Sequence, residues 1–459
     1  MKLRTIPALL LLAMTILIVH AQDTPADSPT DTATWKLAAV SDPMGQTFPI
    51  APGPRGLLPG VESFGSPYLL QNKTDGLALW YVHGGRAYPV SFEGGKRPMR
   101  KSAPQIVKSG DMWLLTYIDE GVNEFWALDA EQAVQIKHAD GKPFSQRSHI
   151  TRGGDKPVLY QGSYDGKTSL FIIRDNTATP VTISDKTDHG TAQYAWSFDA
   201  RLLVAMYMAG THDFYWFEDG KFTPCWERNG TEEYDDQIES IYARWHGDRL
   251  FLNLLRRDGK GELWTLRDDK LVALTDPTKL GVLDWFDGGN AAVGRNGLCF
   301  VATAKDTRKL YVSDGLETKQ VKAADGRDLS LDDDCELAGV GGGVIATSEG
   351  FDQFRSWIIT GGTASLLGTH KRGSVAVYRC VAADNNADLI RQCNEQGETS
   401  WKVWRDGKSA DADIEDWPEN AGNVFSAWTL TEDGKSVAYF IERPTAQGSK
   451  FRLWSLTTD

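Results

Sequence analysis

Among the 459 residues, the side chains best suited to chemistry are a group of histidines and several acidic runs. His138, His149, His189 and His212 fall in one stretch of the chain. Three imidazoles meeting at one point would hold a transition metal or serve as a general base, as in a lyase. The acidic runs are Glu232-Glu233-Tyr234-Asp235-Asp236, Asp332-Asp333-Asp334, and Asp411 with Asp413, Glu415 and Asp416. Carboxylates converging from separate segments suit calcium, which takes several oxygen ligands. None of the runs has the calcium-loop spacing with its turn glycine and final glutamate, so they read as a solvated acidic rim. Calcium is the one ion left open, and no other cofactor is evident. Trp417, in Asp416-Trp417-Pro418-Glu419, is the tryptophan placed to offer an exposed stacking face.

The usual catalytic signatures are absent from the sequence: no Gly-x-Ser-x-Gly elbow, no His-Glu-x-x-His, no Cys-x-x-Cys and no phosphate-binding Gly-x-x-x-x-Gly-Lys. Five cysteines are an odd number for an oxidising compartment. Cys380 and Cys393 flank a hairpin turn expected around residues 384–388 and are the candidate disulfide. The alternative is two buried free thiols.

The elements that must position these residues are legible from a repeated phrase. An aromatic-aliphatic strand followed by a tight turn starts at residues 79, 125, 170, 214, 263, 310, 357, 401 and 453, a spacing of 44 to 52 residues. That is the period of a four-stranded propeller blade. The fifth repeat resolves into strands at Ile238–Trp245, Arg249–Leu255, Glu262–Leu266 and Lys270–Thr275, each bounded by Asp, Gly or Asn. Between third and fourth strands come Gly-Gly, Asp-Asn, Asp-Gly and Asp-Asp, residues that tolerate the positive φ of two-residue hairpins. Trp80, Trp126, Trp264 and Trp454 sit at repeat positions, where packing between sheets accounts for them.

Loops repeat too: Gln135–Ser145 matches Gln320–Ser330, with His138 standing where the second copy has Ala323. The duplicated structure therefore has no need of the imidazole. The last repeat stops after its third strand, and Trp35–Ser41 resembles the fourth strand of the fifth repeat. The expectation is an all-β propeller of about nine blades, alternatively eight, closed by an N-terminal strand completing the last one.

The phrases Phe198-Asp199-Ala200-Arg201-Leu202-Leu203-Val204-Ala205 and Glu432-Asp433-Gly434-Lys435-Ser436-Val437-Ala438-Tyr439 resemble the corresponding strand of TolB-type, WD-repeat-like propellers. The resemblance spans nearly the whole chain after residue 35 and rests on structural motifs. It implies a propeller fold; a TolB-like role in envelope assembly is an analogy of fold.

At the N-terminus, Lys2 and Arg4 precede the apolar run Ile6–Val19, which reads as a secretory signal over residues 1–21. Residues 22–34 are rich in Asp, Ser, Thr and Pro and read as a disordered leader, with the propeller at 35–459. Loss of Lys2 and Arg4 takes the formal charge from −13 to −15. Such acidity disfavours nucleic acid. No later segment reads as a membrane span. The expected protein is a periplasmic or secreted monomer that binds an envelope or extracellular protein, peptide or glycan without catalysis, through acidic loops around the central channel. The alternative is a lyase or hydrolase acting on a polysaccharide with histidines and carboxylates at the channel mouth.

Overall fold

The computed structural model describes most of residues 35–458. Outside it lie residues 1–34, the longer stretches 51–60, 96–103, 151–157, 163–167, 185–189, 226–237, 275–281, 284–290, 372–378, 394–398, 416–422 and 444–450, and a few shorter ones. The described residues form nine sheets, each built on consecutive antiparallel strands, with a single turn of 3-10 helix at Glu93–Gly95. No described helix is long and apolar enough to cross a membrane.

The fourth sheet shows the plan. Thr191–Phe198, Arg201–Met208, Thr211–Glu218 and Lys221–Pro224 pair in sequence order, from the channel side outward. The fifth repeats it with Ile238–His246, Arg249–Arg256, Gly261–Arg267 and Lys270–Ala273, within a residue or two of the strands expected from sequence. Five of the hairpin turns have both central residues at positive φ: Gly84-Gly85, Asp175-Asn176, Asp219-Gly220, Asp268-Asp269 and Gly361-Gly362. That is the geometry whose twist matches the flanking strands.

Nine cores lie between successive sheets, and their membership shows that the sheets form a ring. Tyr68 and Leu79 of the first sheet pack with Leu115 and Trp126 of the second. Val107 and Phe125 of the second pack with Phe171 and Ile173 of the third. Leu170 joins Val204 and Phe217, and Trp196 and Phe214 join Ile241 and Leu252. Phe251 meets Phe300, Cys299 meets Leu337, and Ile345 and Ile358 meet Trp404. Leu389 and Trp401 then meet Phe440 and Trp454, and Tyr439 and Leu453 return to Leu69 and Val82 of the first sheet. Such face-to-face packing of twisted sheets is how a blade buries both of its apolar faces.

Closure is made by the N-terminal strand. Trp35–Ala39 pairs antiparallel with Arg452–Thr458, with Leu37 opposite Leu456 and Ala39 opposite Trp454. The ninth sheet thus combines Asn423–Glu432, Lys435–Arg443, Arg452–Thr458 and a strand from the other end of the chain. Trp35 and Leu37 are buried among Leu389, Trp401, Phe440 and Leu456. Each such side chain contributes roughly 1.5–3 kcal/mol by leaving water.

Four sheets carry a fifth, outermost strand of two residues supplied by the preceding connection. Ser91–Phe92, Lys137–His138, Lys322–Ala323 and Ile414–Glu415 each pair parallel with the fourth strand of the next blade. The two loops matched in sequence are therefore matched in structure. The Ala139 N–H donates to the Ala178 carbonyl and that of Ala324 to the Ala364 carbonyl, each at about 3 Å; Gly141 and Gly326 close equivalent turns onto His138 and Ala323.

Candidate functional site

Antiparallel strands alternate in direction, so the connections from fourth to first strands and from second to third gather on one face of the ring. The hairpin turns lie on the other. Of the residues singled out from sequence, His189, Asp235, Asp236, Asp332, Asp333, Asp416 and Trp417 lie outside the described residues. Asp334 opens the inner strand of the seventh sheet, paired with Glu349, and His149 lies in the inner strand of the third, paired with Tyr160. Cys380 is opposite Ile390 and Cys393 opposite Thr399, so the register leaves the two cysteines three positions out of step. At about 3.4 Å per residue that offset exceeds the Cα separation of a disulfide. They are not the cross-strand pair expected from the hairpin.

His138 departs from its expected place at the channel mouth. It sits on the outermost edge of the third sheet, with three strands between it and the inner one. Its ring stacks on Phe144 at 4.3 Å and meets the edge of Phe171 at 4.6 Å. The connection first runs along the next blade's outer strand before turning inward, and that detour carries the histidine away from the channel.

His212 is on the loop face, at the start of the third strand of the fourth sheet, but it is buried to 1% exposure. Nδ1 lies 3.0 Å from the Ile238 carbonyl and Nε2 lies 2.8 Å from Oε1 of Gln193. A carbonyl only accepts, so Nδ1 carries a proton. The ring lies 5.0 Å from Tyr207 and 5.9 Å from Tyr194. The neighbouring Thr211 hydroxyl accepts the Ile238 N–H at 3.1 Å. Both backbone polar groups of Ile238 are thereby held by the preceding blade. Ile238 also opens the inner strand of the fifth sheet, two residues in sequence after the acidic run ending in Asp235 and Asp236. At the other end of that connection Cys225 is buried, its N–H donating to Phe214 and its carbonyl accepting from Leu271. Burial pushes the Cys225 thiol up to about 12. Sequence inspection found this histidine but not its role, because Gln193 and Ile238 are 19 and 26 residues away.

On the turn face, the preceding blade clasps the hairpin turn of the next. The Ser184 N–H donates to the Gly220 carbonyl at 2.8 Å. Arg201 pairs with Asp269, and the Trp216 indole N–H donates to the Asp269 carbonyl at 2.6 Å. Arg249 reaches the Asp314 carbonyl, and Arg267 reaches those of Gly315 and Leu316, both at 3.0 Å. Asp314 accepts the N–H groups of Glu317 and Leu316, which hold its carboxyl below the usual range. At the ring closure Glu432 accepts the Gly84 N–H and the Tyr439 hydroxyl, both at 2.8 Å. Burial and that carboxylate together push the Tyr439 phenol up.

Between the fourth and fifth blades these ties leave a cleft of about 370 Å3, lined by Phe198, Arg201, Trp216 and Glu218 on one side and Leu266–Asp269 on the other. The Arg201 guanidinium lies 4.0 Å over the Trp216 ring. Among the described residues no His, Cys, Asp and Glu side chains gather in threes or more as metal ligands.

Sheet order and inter-sheet cores define the class: a β-propeller whose last blade is completed by the N-terminal strand. The two strand motifs noted in the sequence lie at the first hairpins of the fourth and ninth blades. No family model and no curated protein sequence matches the chain. Similar solved structures include prolyl endopeptidases (13% identity, TM-score 0.38, 75% of this chain). This chain spans 54% of their length. A TolB protein of Agrobacterium tumefaciens is 17% identical with TM-score 0.29, covering 48% of this chain and 79% of that one. The propeller domain of the Trilobed protease of Pyrococcus furiosus is 13% identical with TM-score 0.32, over 69% of this chain and 99% of that one. At such identities the likeness is one of fold, and activity does not travel with it.

Proposed function

We propose that this is an exported propeller that binds a protein, peptide or glycan without transforming it, through the acidic loop face around the channel. The observation that supports this most is the double hydrogen bond of His212 and Thr211 to Ile238, two residues after Asp236 in the sequence. A buried anchor at the root of an acidic loop limits the conformations it must lose on binding. Two carboxylates next to that root favour a cationic ligand or one bridged by calcium. His212 has both ring nitrogens engaged. In that state it anchors structure and is closed to substrate or metal.

The test is a thermal-shift series on the mature protein with calcium, manganese, zinc and envelope glycans. Calcium is expected to raise the Tm of the wild type and to leave an Asp235→Asn/Asp236→Asn variant unmoved. Stabilisation by zinc or manganese at low concentration, with cleavage of a polysaccharide, would replace the binder by the lyase or hydrolase.

A further inference from the structure

The cleft between the fourth and fifth blades lies on the turn face, opposite the loops invoked above. Its charges are unequally partnered. Arg201 is neutralised by Asp269 and stacked on Trp216. Arg267 donates through one terminal nitrogen to two carbonyls of the sixth blade, which fixes the guanidinium but leaves its charge in place and its Nε without a partner. Glu218 and Asp268 are exposed, line the same cleft, and pair with no other described residue. Between them the walls are apolar, from Phe198 and Leu266, each packed in the inter-blade core. The opening therefore has an apolar waist and a rim on which three carboxylates outnumber two guanidinium groups.

Three ligand classes fail on this geometry. A sugar needs an open aromatic face, and the Trp216 face is already covered by Arg201 at 4.0 Å. An anion would meet the exposed carboxylates of Glu218 and Asp268, while Arg201 is paired with Asp269 and the terminal nitrogen of Arg267 is held by the sixth blade. A wholly apolar group would leave the rim carboxylates to be desolvated without a partner. A long basic side chain meets every requirement: an aliphatic stem to lie along Phe198 and Leu266, and a cationic head to reach Glu218 and Asp268. At about 370 Å3 the cleft is at the small end of ligand sites, which run from roughly 300 to 1,000 Å3. That suits one side chain and little more.

We infer that this cleft is a docking site for a single arginine or lysine side chain of a partner polypeptide. It is separate from the acidic loop face and does not depend on it. The ring would then hold two cation-seeking surfaces, one on each side, and could engage a basic partner segment without obstructing the channel mouth.

Calorimetric titration of the mature protein with acetyl-Gly-Arg-Gly-amide, and with its lysine and glutamate counterparts, tests this. The arginine or lysine peptide is expected to bind saturably, more weakly as salt rises. Glu218→Gln/Asp268→Asn should weaken it about tenfold, since charge-pair loss in a partly enclosed cleft exceeds that at an open surface. Both side chains are exposed, so the variant is expected to keep the wild-type Tm. Should it not, Glu218→Gln alone, with an intermediate loss, serves in its place. Asp235→Asn/Asp236→Asn is expected to leave the peptide affinity unchanged. Equal affinity in the cleft variant, preference for the glutamate peptide, absence of saturable heat, or loss confined to the loop variant would each overturn the assignment. None of those outcomes bears on whether calcium binds the loop face.

Discussion

Cys225, Cys299 and Cys335 are free, buried thiols, each in a core between blades. Cys225 ends the fourth blade beside the acidic connection, and Cys299 and Cys335 face one another across the sixth and seventh blades in a shared core. Burial pushes the Cys225 and Cys335 thiols from their ordinary value of 9.0 up to about 12, and raises Cys299 as well. A thiolate is the reactive form, so these cysteines stay unalkylated by iodoacetamide at mildly alkaline pH until the ring unfolds. The sign of the stability change follows. In the unfolded chain each thiol ionises near 9 while the folded one remains protonated, so rising pH favours the unfolded state. Stability is intact below pH 9 and is lost progressively toward pH 12. From pH 9 to 10 the loss is about 1 kcal/mol per thiol, from a limiting slope of about 1.4 kcal/mol per unit. Urea unfolding at those pH values measures it, and Cys225→Ala/Cys335→Ala should flatten the dependence. An unchanged slope in that variant would show that other groups govern alkaline unfolding.

At the scale of the element, hairpin turns are where sequence and contact meet. Gly220 has φ +80, and a Cβ there would lie 2.8 Å from the Thr182 carbonyl and 2.9 Å from the Ser184 hydroxyl. Those atoms belong to the chain leaving the third blade, whose Ser184 N–H and hydroxyl both bond to the Gly220 carbonyl. Gly220→Ala is therefore expected to cost about 1–3 kcal/mol, from the strained φ and from loosening this tie. Gly84→Ala, also at positive φ but with nothing within 4 Å of the added carbon, should cost less. Equal losses in denaturant unfolding would mean that φ alone sets the cost. The turns were legible because Gly-Gly, Asp-Gly and Asp-Asp report a local backbone requirement. The duplicated loops at 135–145 and 320–330 were legible because both copies make the same edge strand. The course of that loop was not, and it moved His138 from the expected channel mouth to the outer edge. Nothing in Lys137-His138 distinguishes a strand added to the next blade from a loop turning inward. The Arg201–Asp269 tie and the cleft beside it join residues 68 apart in different repeats, a contact that depends on blade spacing. No local pattern encodes such spacing.

For the whole molecule, the consequence of closure is cooperativity. An open array of repeats loses one interface at its end and frays there, because each repeat touches only its neighbours. Here the end is held: Trp35 is buried to 2% exposure in the core joining the eighth and ninth blades, and the ninth blade packs in turn on the first through Tyr439, Leu453 and Leu69. Removing the Trp35 side chain vacates space beside Leu389, Trp401 and Phe440 and weakens the strand that pairs with Arg452–Thr458. Trp35→Ala is expected to cost about 3–5 kcal/mol, the range for deleting a large buried aromatic. If the latch stabilises the ring as one unit, that loss appears as a lower Tm with far-ultraviolet and near-ultraviolet signals still melting together. If it stabilises only the blade it completes, the variant melts in two steps, with the eighth, ninth and first blades losing hydrogen-exchange protection ahead of the fourth and fifth. Leu37→Ala, on the same strand and in the same core, should give the same pattern at about 2–5 kcal/mol. A two-step melt in both variants would mean that the blades are held pairwise, and that the clasped turns on the opposite face, more than the latch, keep the ring together.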